Sequence, residues 1–241
     1  MTENSGGMRT RVATLGGSLL RPEVENRHAW LEALCTVVEE VVSSGFRLAL
    51  VVGGGAPARE GIELAKPMIG NDVDALDRIG IAATRLNATI VAEALRFAGN
   101  NVSTSIPINI EEAAEHAQNH SIVVMGGTTP GHTTDAVAIR LAKRLGAERC
   151  IIATNVGHVF SSDPRSNPDA VKFEHMTHDQ LLEVVGPAEH RNAGGSGVID
   201  PIGADVARNA GLNLAVVDGR DMERLRAALK GESFEGTNIE G

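Results

Sequence analysis

The fold is constrained most by short apolar runs that alternate with longer segments of helical periodicity. The runs are rich in Val and Ile and cover residues 11–15, 47–52, 121–125, 149–153 and 213–217. Continuous apolar runs of this length are typical of parallel strands buried on both faces. Because helical segments separate them, we expect a mainly parallel open sheet covered by helices on both sides.

The first helical segment, residues 25–44, has a single apolar face, and Gly45 can cap its end. That face consists of Trp30, Leu34, Val37, Val38 and Val41. Further helices are predicted at 78–97, 135–145, 178–185, 201–210 and 222–229. No repeat or low-complexity linker interrupts the chain, so we expect a single domain over residues 1–241. Its two lobes would cover about 9–145 and 146–241.

Composition excludes several classes of function. The net charge is −9 and no stretch is dense in Lys or Arg, so a nucleic-acid-binding surface is not expected. No apolar run reaches the roughly 18–20 residues that span a bilayer. Residues 1–10 lack the apolar centre of a signal peptide, and Cys35 and Cys150 have no metal-binding spacing. We therefore expect a cytoplasmic protein with two reduced thiols and no membrane partner.

Polar or Gly-rich loops follow the first four predicted strands. Residues 16–18 and 53–55 follow the first two strands, residues 126–135 follow the third, and Thr154 and Asn155 follow the fourth. Ligands of open parallel sheets bind beyond the carboxyl ends of the strands. The four loops therefore predict one site at one edge of the sheet.

The two glycine clusters suit phosphate groups. Glycine lets backbone N–H groups approach an anion closely, and a following helix adds the positive end of its dipole. Two such loops fit two phosphate-bearing ligands, although each alone also fits a tight strand-to-helix turn. Neither matches the pattern G-x-x-x-x-G-K-[ST], which disfavours the common phosphate-loop fold. Arg59, four residues after Gly55, could contact a phosphate; the alternative is a solvated helix arginine.

The loop after the third strand mixes hydroxyl groups, an imidazole and a carboxylate. Thr133 and Thr134 precede a predicted helix, where hydroxyl and N–H groups face an anion. Asp135 could hold Mg²⁺, or it could be a carboxylate favoured by the helix dipole. His132 is interpreted as a hydrogen-bond donor, because the phosphate oxygens of an acceptor are already ionised.

A second polar loop follows the fourth strand. Thr154, Phe160 and Asp163 could enclose an adenine and its ribose, although Ser-Asp-Pro is also ordinary turn chemistry.

These segments together resemble the amino-acid-kinase superfamily and, within it, the archaeal-type uridylate (UMP) kinases. The matching segments occur in family order at 16–18, 51–55 with Arg59, Asp77 with 79–80, 84–88, 125–135, 154–156, 163–164 and 198–201. The resemblance implies a three-layer α/β/α sandwich, Mg²⁺ with ATP as phosphate donor, and UMP as acceptor in pyrimidine nucleotide biosynthesis. It also implies a hexamer, a trimer of dimers. The N-terminal lobe would bind the acceptor and the C-terminal lobe ATP.

The resemblance also implies roles for individual residues. The UMP-binding residues would be Gly54, Asp77, Thr128, Thr129, Pro130, Gly131, His132, Thr133 and Thr134. The ATP-binding residues would be Gly17, Ser18, Gly55, Arg59, Thr154, Asn155, Phe160 and Asp163. Arg59, Asp135 and Ser18 would act in catalysis, with Asp135 as a Mg²⁺ ligand.

The chain departs from the family pattern where charges are expected. Thr14 stands where many members of the superfamily have a lysine, although some archaeal-type uridylate kinases also lack it, and Asp205 stands where the family usually has one. Gly157 and His158 replace an aspartate and a glycine of the family pattern. Two alternatives to a UMP kinase follow. One is a related kinase with another acceptor, such as isopentenyl phosphate or a carboxylate; the other is a nucleotide-binding protein with weakened catalysis.

Overall fold

The computed structural model describes residues 9–20, 27–164, 166–186 and 198–241. Its strands are β1 (Arg9–Leu15), β2 (Phe46–Val52), β3 (Ile122–Met125), β4 (Arg149–Thr154), β5 (Val159–Phe160), β6 (Lys172–Phe173), β7 (His175–Thr177), β8 (Asn213–Asp218) and β9 (Thr237–Glu240). Its helices are α1 (Gly17–Leu20), α2 (Arg27–Ser43), α3 (Gly55–Ile69), α4 (Val73–Phe97), α5 (Ile110–Asn119), α6 (Thr134–Leu145), α7 (His178–Val185), α8 (Pro201–Ala210) and α9 (Met222–Lys230).

The main sheet has the strand order β3-β2-β1-β4-β8-β9-β7. The first five of these strands run parallel, as predicted. The last two do not follow the predicted pattern, because β9 pairs antiparallel with β8 and parallel with β7. A separate antiparallel ribbon of β5 and β6 follows β4. The sheet is therefore mainly parallel, with a mixed end that the sequence pattern did not predict.

Side chains on the two faces of the sheet form two separate cores. Leu15, Leu50 and Ile151 pack with apolar residues of α1, α2, α4 and α9. Val12 and Ile152 pack with residues of α5, α6, α7 and α8 on the opposite face. Alternate residues of a strand face opposite sides, which is why one strand serves both cores. The predicted three-layer α/β/α sandwich is confirmed.

The predicted and observed elements agree best where burial is greatest. The five predicted strands correspond to β1, β2, β3, β4 and β8 within two residues at each end. Gly45 has the left-handed φ of +88° that suits a residue ending α2, and residues 25–26 of the predicted helix lie outside the described residues. The predicted start of α4 at residue 78 was wrong. The helix begins at Val73 because the Asp72 side chain accepts a hydrogen bond from Ala75 N.

The carboxyl edge of the sheet, formed by the ends of β1, β2, β3, β4 and β8, collects five loops. Backbone pairing continues one residue past the strands: Gly16 N donates to Ala153 O, Gly53 N to Leu15 O and Gly219 N to Thr154 O, each over 2.8 Å. The strand order reverses between β1 and β4, because β2 and β3 are added on one side of β1 and β4 and β8 on the other; ligand crevices lie at such a point. None of the helices in the described ranges is long and apolar enough to cross a membrane.

Candidate active site

The two glycine-rich loops contact each other backbone to backbone. A Cβ atom added to Gly17 would lie 2.1 Å from Gly55 N, and one added to Gly53 would lie 2.6 Å from Gly17 N. Gly55 also has a φ of +60°, in the left-handed region that favours glycine. Any side chain at these positions would push the loops apart. The sequence prediction that the two loops form one site is consistent with this packing.

Arg59 lies one turn into α3, which begins at Gly55. It is exposed, and no carboxylate in the described part of the chain pairs with it. Ser18, half-buried, lies at the start of α1 after the other glycine loop. The N-terminus of α3 carries the positive end of a 15-residue helix, so this corner attracts anions.

Helix α4 holds the loop that follows β3. Gly131 N donates to Asp77 Oδ2 over 2.7 Å, and Gly127 N donates to Thr84 Oγ1 over 2.7 Å. Arg85 adds contacts to the carbonyl oxygens of Gly127 at 3.3 Å and of Thr128 at 3.4 Å. The predicted acceptor loop is therefore fixed along its length by side chains from one helix.

The same helix holds the loop that follows β2. Asn87 is fully buried, and its Nδ2 donates to Gly53 O over 2.8 Å and to Gly54 O over 3.0 Å. Asn87, Thr84 and Arg85 lie in a segment that the sequence matched to a family, but no role was predicted for them. Buried polar residues on an otherwise apolar helix face were the available signal.

Within the predicted acceptor loop, the side chains of Thr133, His132 and Thr129 have structural partners. Thr133 caps α6 by accepting a hydrogen bond from Ala136 N over 3.2 Å. His132 Nδ1 lies 3.0 Å from Thr129 Oγ1, and its Nε2 lies 2.8 Å from Arg140 Nη1. The hydroxyl hydrogen of Thr133 stays available to an anion, because a hydroxyl group both donates and accepts.

Asp135 is a half-buried carboxyl group in the first turn of α6. Its Oδ1 accepts a hydrogen bond from Thr14 Oγ1 over 3.0 Å. Burial raises the pKa of Asp135 to about 6; the Thr14 hydroxyl and the Asp200 backbone N–H oppose this rise, and the nearby Asp200 carboxylate adds to it. Oxygen atoms of Thr14, Asp135 and Asp200 lie close together here, and such donors fit a hard ion such as Mg²⁺. In the part of the chain described, no group of three or more His, Cys, Asp or Glu side chains forms a ready-made metal site.

The predicted ATP-binding residues lie along a more open segment. Thr154 borders the first glycine loop, because a Cβ on Gly16 would lie 3.6 Å from Thr154 Cα. Asn155 is exposed, half-buried Phe160 stacks edge-on to buried His158 at 6.3 Å, and Asp163 lies in an exposed turn. Burial lowers the pKa of His158, and Lys172 contributes in the same direction.

A fifth loop, after β8, was not predicted to belong to the site. Asp218 ends β8 and accepts hydrogen bonds from Arg220 Nε over 2.8 Å and Arg220 Nη2 over 2.6 Å. Burial acts to raise the pKa of Asp218, but the bonds from Arg220 outweigh it and the pKa is lowered. Arg224 Nη1 would lie 3.6 Å from a Cβ added to Gly157. Arg220 and Arg224 therefore lie near Gly157, the position at which the family pattern has an aspartate.

The sequence model of the amino acid kinase family matches residues 9–218. The chain belongs to the amino acid kinase family. Similar relatives include a uridylate kinase of Haloquadratum walsbyi. It is 36% identical to this chain, and the match covers 95% of this chain and 92% of the relative. Another is a uridylate kinase of Pyrococcus abyssi, 38% identical over 95% of this chain and 98% of the relative.

Solved structures agree with this family assignment. The uridylate kinase of Archaeoglobus fulgidus superposes with a TM-score of 0.82 at 37% identity, covering 95% of this chain and 99% of that one. The UMP kinase of Bacillus anthracis has a TM-score of 0.78 at 22% identity, covering 96% of both chains, and supports the fold alone.

The departures from the family pattern can now be placed in this amino acid kinase. Thr14 contacts Asp135, so a hydroxyl group stands where the sequence comparison expected a lysine ammonium group. Asp205 accepts a hydrogen bond from Asn209 Nδ2 over 2.9 Å, within α8. Neither position supplies a cation. Among the residues that the structure describes, Arg59 is an exposed cation in the first turns of α3, just after the second glycine loop.

Proposed function

We propose that this amino acid kinase is a uridylate kinase that transfers the terminal phosphate of ATP to UMP, giving UDP and ADP. The observation that carries the proposal is the backbone contact between Gly17 and the loop 53–55. It brings two anion-binding loops to one point, as a reaction between two phosphates requires. The uridylate kinases at 36–38% identity support UMP as the acceptor.

Catalysis in this site is positioning and charge neutralisation. Phosphoryl transfer needs little covalent participation by the protein, because in-line placement of two phosphates supplies most of the acceleration. The N–H groups of Gly54 and Gly55 would bind phosphate oxygen atoms, with Arg59 above them, whereas the Gly53 N–H group is already paired with Leu15 O. Gly17, Ser18 and Gly55 would face the donor phosphates.

The acceptor would lie along the loop that α4 holds. Asp77 and Thr128 would contact the ribose and the base edge, with Thr129, Pro130, Gly131 and His132 shaping the pocket. Thr133 and Thr134, at the N-terminus of α6, would add hydroxyl and N–H donors. ATP would lie over Thr154 and Asn155, with Phe160 and Asp163 near its adenosine.

Asp135 would hold Mg²⁺, directly or through water. The ion supplies positive charge to the migrating phosphoryl group. A carboxyl group whose pKa lies at about 6 is easily ionised when a cation arrives beside it.

The proposal includes a homo-oligomer, a trimer of dimers, in the cytoplasm. Helices α3 and α4 expose a set of large apolar side chains: Leu64, Met68, Leu86, Ile90 and Phe97. The Phe97 side chain is 97% exposed, which is unusual for a large apolar residue on the surface of a monomeric protein. A second copy of the chain is the partner we propose for this face. The free thiols of Cys35 and Cys150 suit a reducing compartment.

An acceptor comparison tests the reaction. UMP, CMP, dUMP and isopentenyl phosphate are each offered with Mg·ATP, and ADP and the phosphorylated product are measured. We expect UMP to be the preferred acceptor. Preference for isopentenyl phosphate, or no turnover of UMP above background, would contradict the proposal.

A second candidate is a nucleotide-binding protein that has lost catalysis. The uncharged Thr14 beside Asp135 and the acidic Asp205 favour it, because neither can stabilise a migrating phosphoryl group. Calorimetry separates the two functions. Tight binding of UMP and ATP without UDP formation under excess Mg²⁺ would establish the second candidate.

A further inference from the structure

Asn87 is a buried amide on a largely apolar face of helix α4. Its neighbours on that face, Ala88, Val91 and Leu95, are fully buried in the core. A buried amide is costly unless its polar atoms are paired. Asn87 Nδ2 is paired twice, with Gly53 O at 2.8 Å and Gly54 O at 3.0 Å.

The orientation of the Asn87 amide follows from these contacts. Both partners are carbonyl oxygens, so only the NH₂ group can face them; the reverse orientation would place three oxygens together. Asn87 Oδ1 is consequently buried without a partner in the described residues. The side chain thus tolerates an unpaired acceptor in order to donate twice to one loop, and packing alone does not account for that.

Holding these carbonyl groups also orients the next N–H groups. In a trans peptide the C=O of one residue and the N–H of the next point in opposite directions, and no cis peptide occurs in the described residues. With the carbonyls of Gly53 and Gly54 directed at Asn87, the N–H groups of Gly54 and Gly55 point away from α4. Gly55 N also lies beside the other glycine loop, because a Cβ added to Gly17 would lie 2.1 Å from it.

Thr84, about one turn earlier on α4, fixes the neighbouring loop in the same way. Its Oγ1 accepts from Gly127 N over 2.7 Å and donates to Ile81 O over 2.6 Å. One helix therefore sets the positions of two loops relative to each other.

We propose that Asn87 is a positioning residue for phosphoryl transfer: it aims the N–H groups of Gly54 and Gly55 at the bound phosphate by holding the two carbonyl groups that precede them. The inference rests on the proposed function for its ligand, but the loop orientation is a property of the protein alone. Asn87 does not contact the reacting atoms and acts through the loop.

The test compares Asn87→Leu, which keeps the size but removes the donor, with Val38→Ala. Val38 is a fully buried core residue of α2, so its truncation destabilises the fold without changing the loop contacts. Asn87→Asp serves as a second variant of nearly unchanged size. Urea unfolding first establishes that the variants are folded and how far each is destabilised.

Two readouts then decide. We expect the kcat/KM for UMP to fall about 10- to 100-fold in Asn87→Leu and less than about 3-fold in Val38→Ala. We also expect faster amide exchange over residues 52–58 in Asn87→Leu only. Unchanged exchange and activity equal to Val38→Ala would overturn the inference. If the wild type forms no UDP, the proposed function fails, and the exchange rates still decide whether Asn87 holds the loop.

Discussion

The two halves of the carboxyl edge are built differently. We call the loops 53–55 and 126–134 with α4 the acceptor half, and the segment 154–163 with the loop after β8 the donor half. The acceptor half is held by side chains of α4 that bond loop backbone groups at 2.7–3.0 Å. The donor half has an exposed Asn155 and Asp163, and its β5–β6 ribbon is two residues per strand.

This difference indicates that the directions of backbone groups are fixed more closely in the acceptor half than in the donor half. Backbone N–H groups bind a phosphate well only when their directions are fixed, and buried hydrogen bonds from one helix fix them. An open loop can adjust to a ligand and is less stable locally. We infer that the acceptor half is preformed and that the donor half orders further when ATP binds.

The largest effect should come from Gly17, whose backbone packs against the loop 53–55 of the acceptor half. Gly17→Ala would place a Cβ 2.1 Å from Gly55 N, so the two loops must separate, and we expect a loss of stability of about 3 kcal/mol or more with loss of activity. Gly157→Ala in the donor half is the control. Its Cβ would lie 3.6 Å from Arg224 Nη1, with ordinary contact distances. Urea unfolding should show a near-neutral change for this control; equal losses in both variants would contradict the comparison.

Asp135→Asn should change how stability depends on pH. Because the pKa of Asp135 is raised from 3.8 to about 6, the folded protein keeps a proton that the unfolded chain releases. Stability therefore falls as pH rises from about 4 to about 6, by on the order of 3 kcal/mol in the absence of a metal ion.

The asparagine variant lacks this penalty. It should be more stable than the wild type at pH 7.5 and no more stable near pH 4. Urea midpoints of both proteins at several pH values, with a chelator present, measure the difference. A difference that does not vary with pH would contradict the assigned protonation of Asp135.

Thr84→Val should weaken the acceptor half alone. It leaves the buried Gly127 N–H without its acceptor at a cost of about 1–3 kcal/mol, and we expect the KM for UMP to rise more than the KM for ATP. Thr84→Ser keeps the hydroxyl group and should retain most of both properties. Steady-state kinetics with each substrate varied in turn provide the check; equal increases in the two KM values would contradict a local effect.

The smallest expected effect is a loss of stability in the donor half at low pH, caused by protonation of His158. Burial lowers the pKa of His158, so the unfolded chain takes up a proton near pH 6.5 before the folded protein does, and stability falls as pH drops below that value. The groups around it are Lys172 and Arg224, which lower its pKa, and Glu235 and Glu174, which raise it.

We expect less than about 1 kcal/mol from His158, seen as lower protection factors (exchange rates relative to the intrinsic rate at each pH) over residues 156–160 at pH 5.5 than at pH 7.5. His158→Leu should remove that difference while the protection factors over residues 84–91 stay unchanged. A pH dependence that survives in the variant would assign the effect to another group.

The sequence predicted the part of the fold that burial determines. Five buried strands and the face of α2 follow from apolar pattern alone. A helix was expected after Gly55, but the bounds of α3 were not predicted, because α3 has no buried residue to give it a periodic face. Strand β9 was missed because its four residues, Thr-Asn-Ile-Glu, contain no continuous apolar run.

The outline of the candidate site could also be predicted. Strand ends and glycines can be recognised in the sequence, and they indicate that the loops converge at one edge of the sheet. The contacts of Thr84 and Asn87 join residues 43 and 33–34 positions apart, and such pairing depends on how α4 lies across the sheet. No local pattern carries that information.

The most direct test of the central claim is UDP formation by the wild type beside Arg59→Ala and Asp135→Asn. Arg144→Ala, an exposed arginine in the last turn of α6, is the matched control. Because Arg59 is exposed and unpaired within the described residues, its removal should leave stability unchanged while kcat/KM falls about 10²- to 10³-fold. We predict a comparable loss in Asp135→Asn and none in Arg144→Ala. Full activity in both site variants would contradict the account.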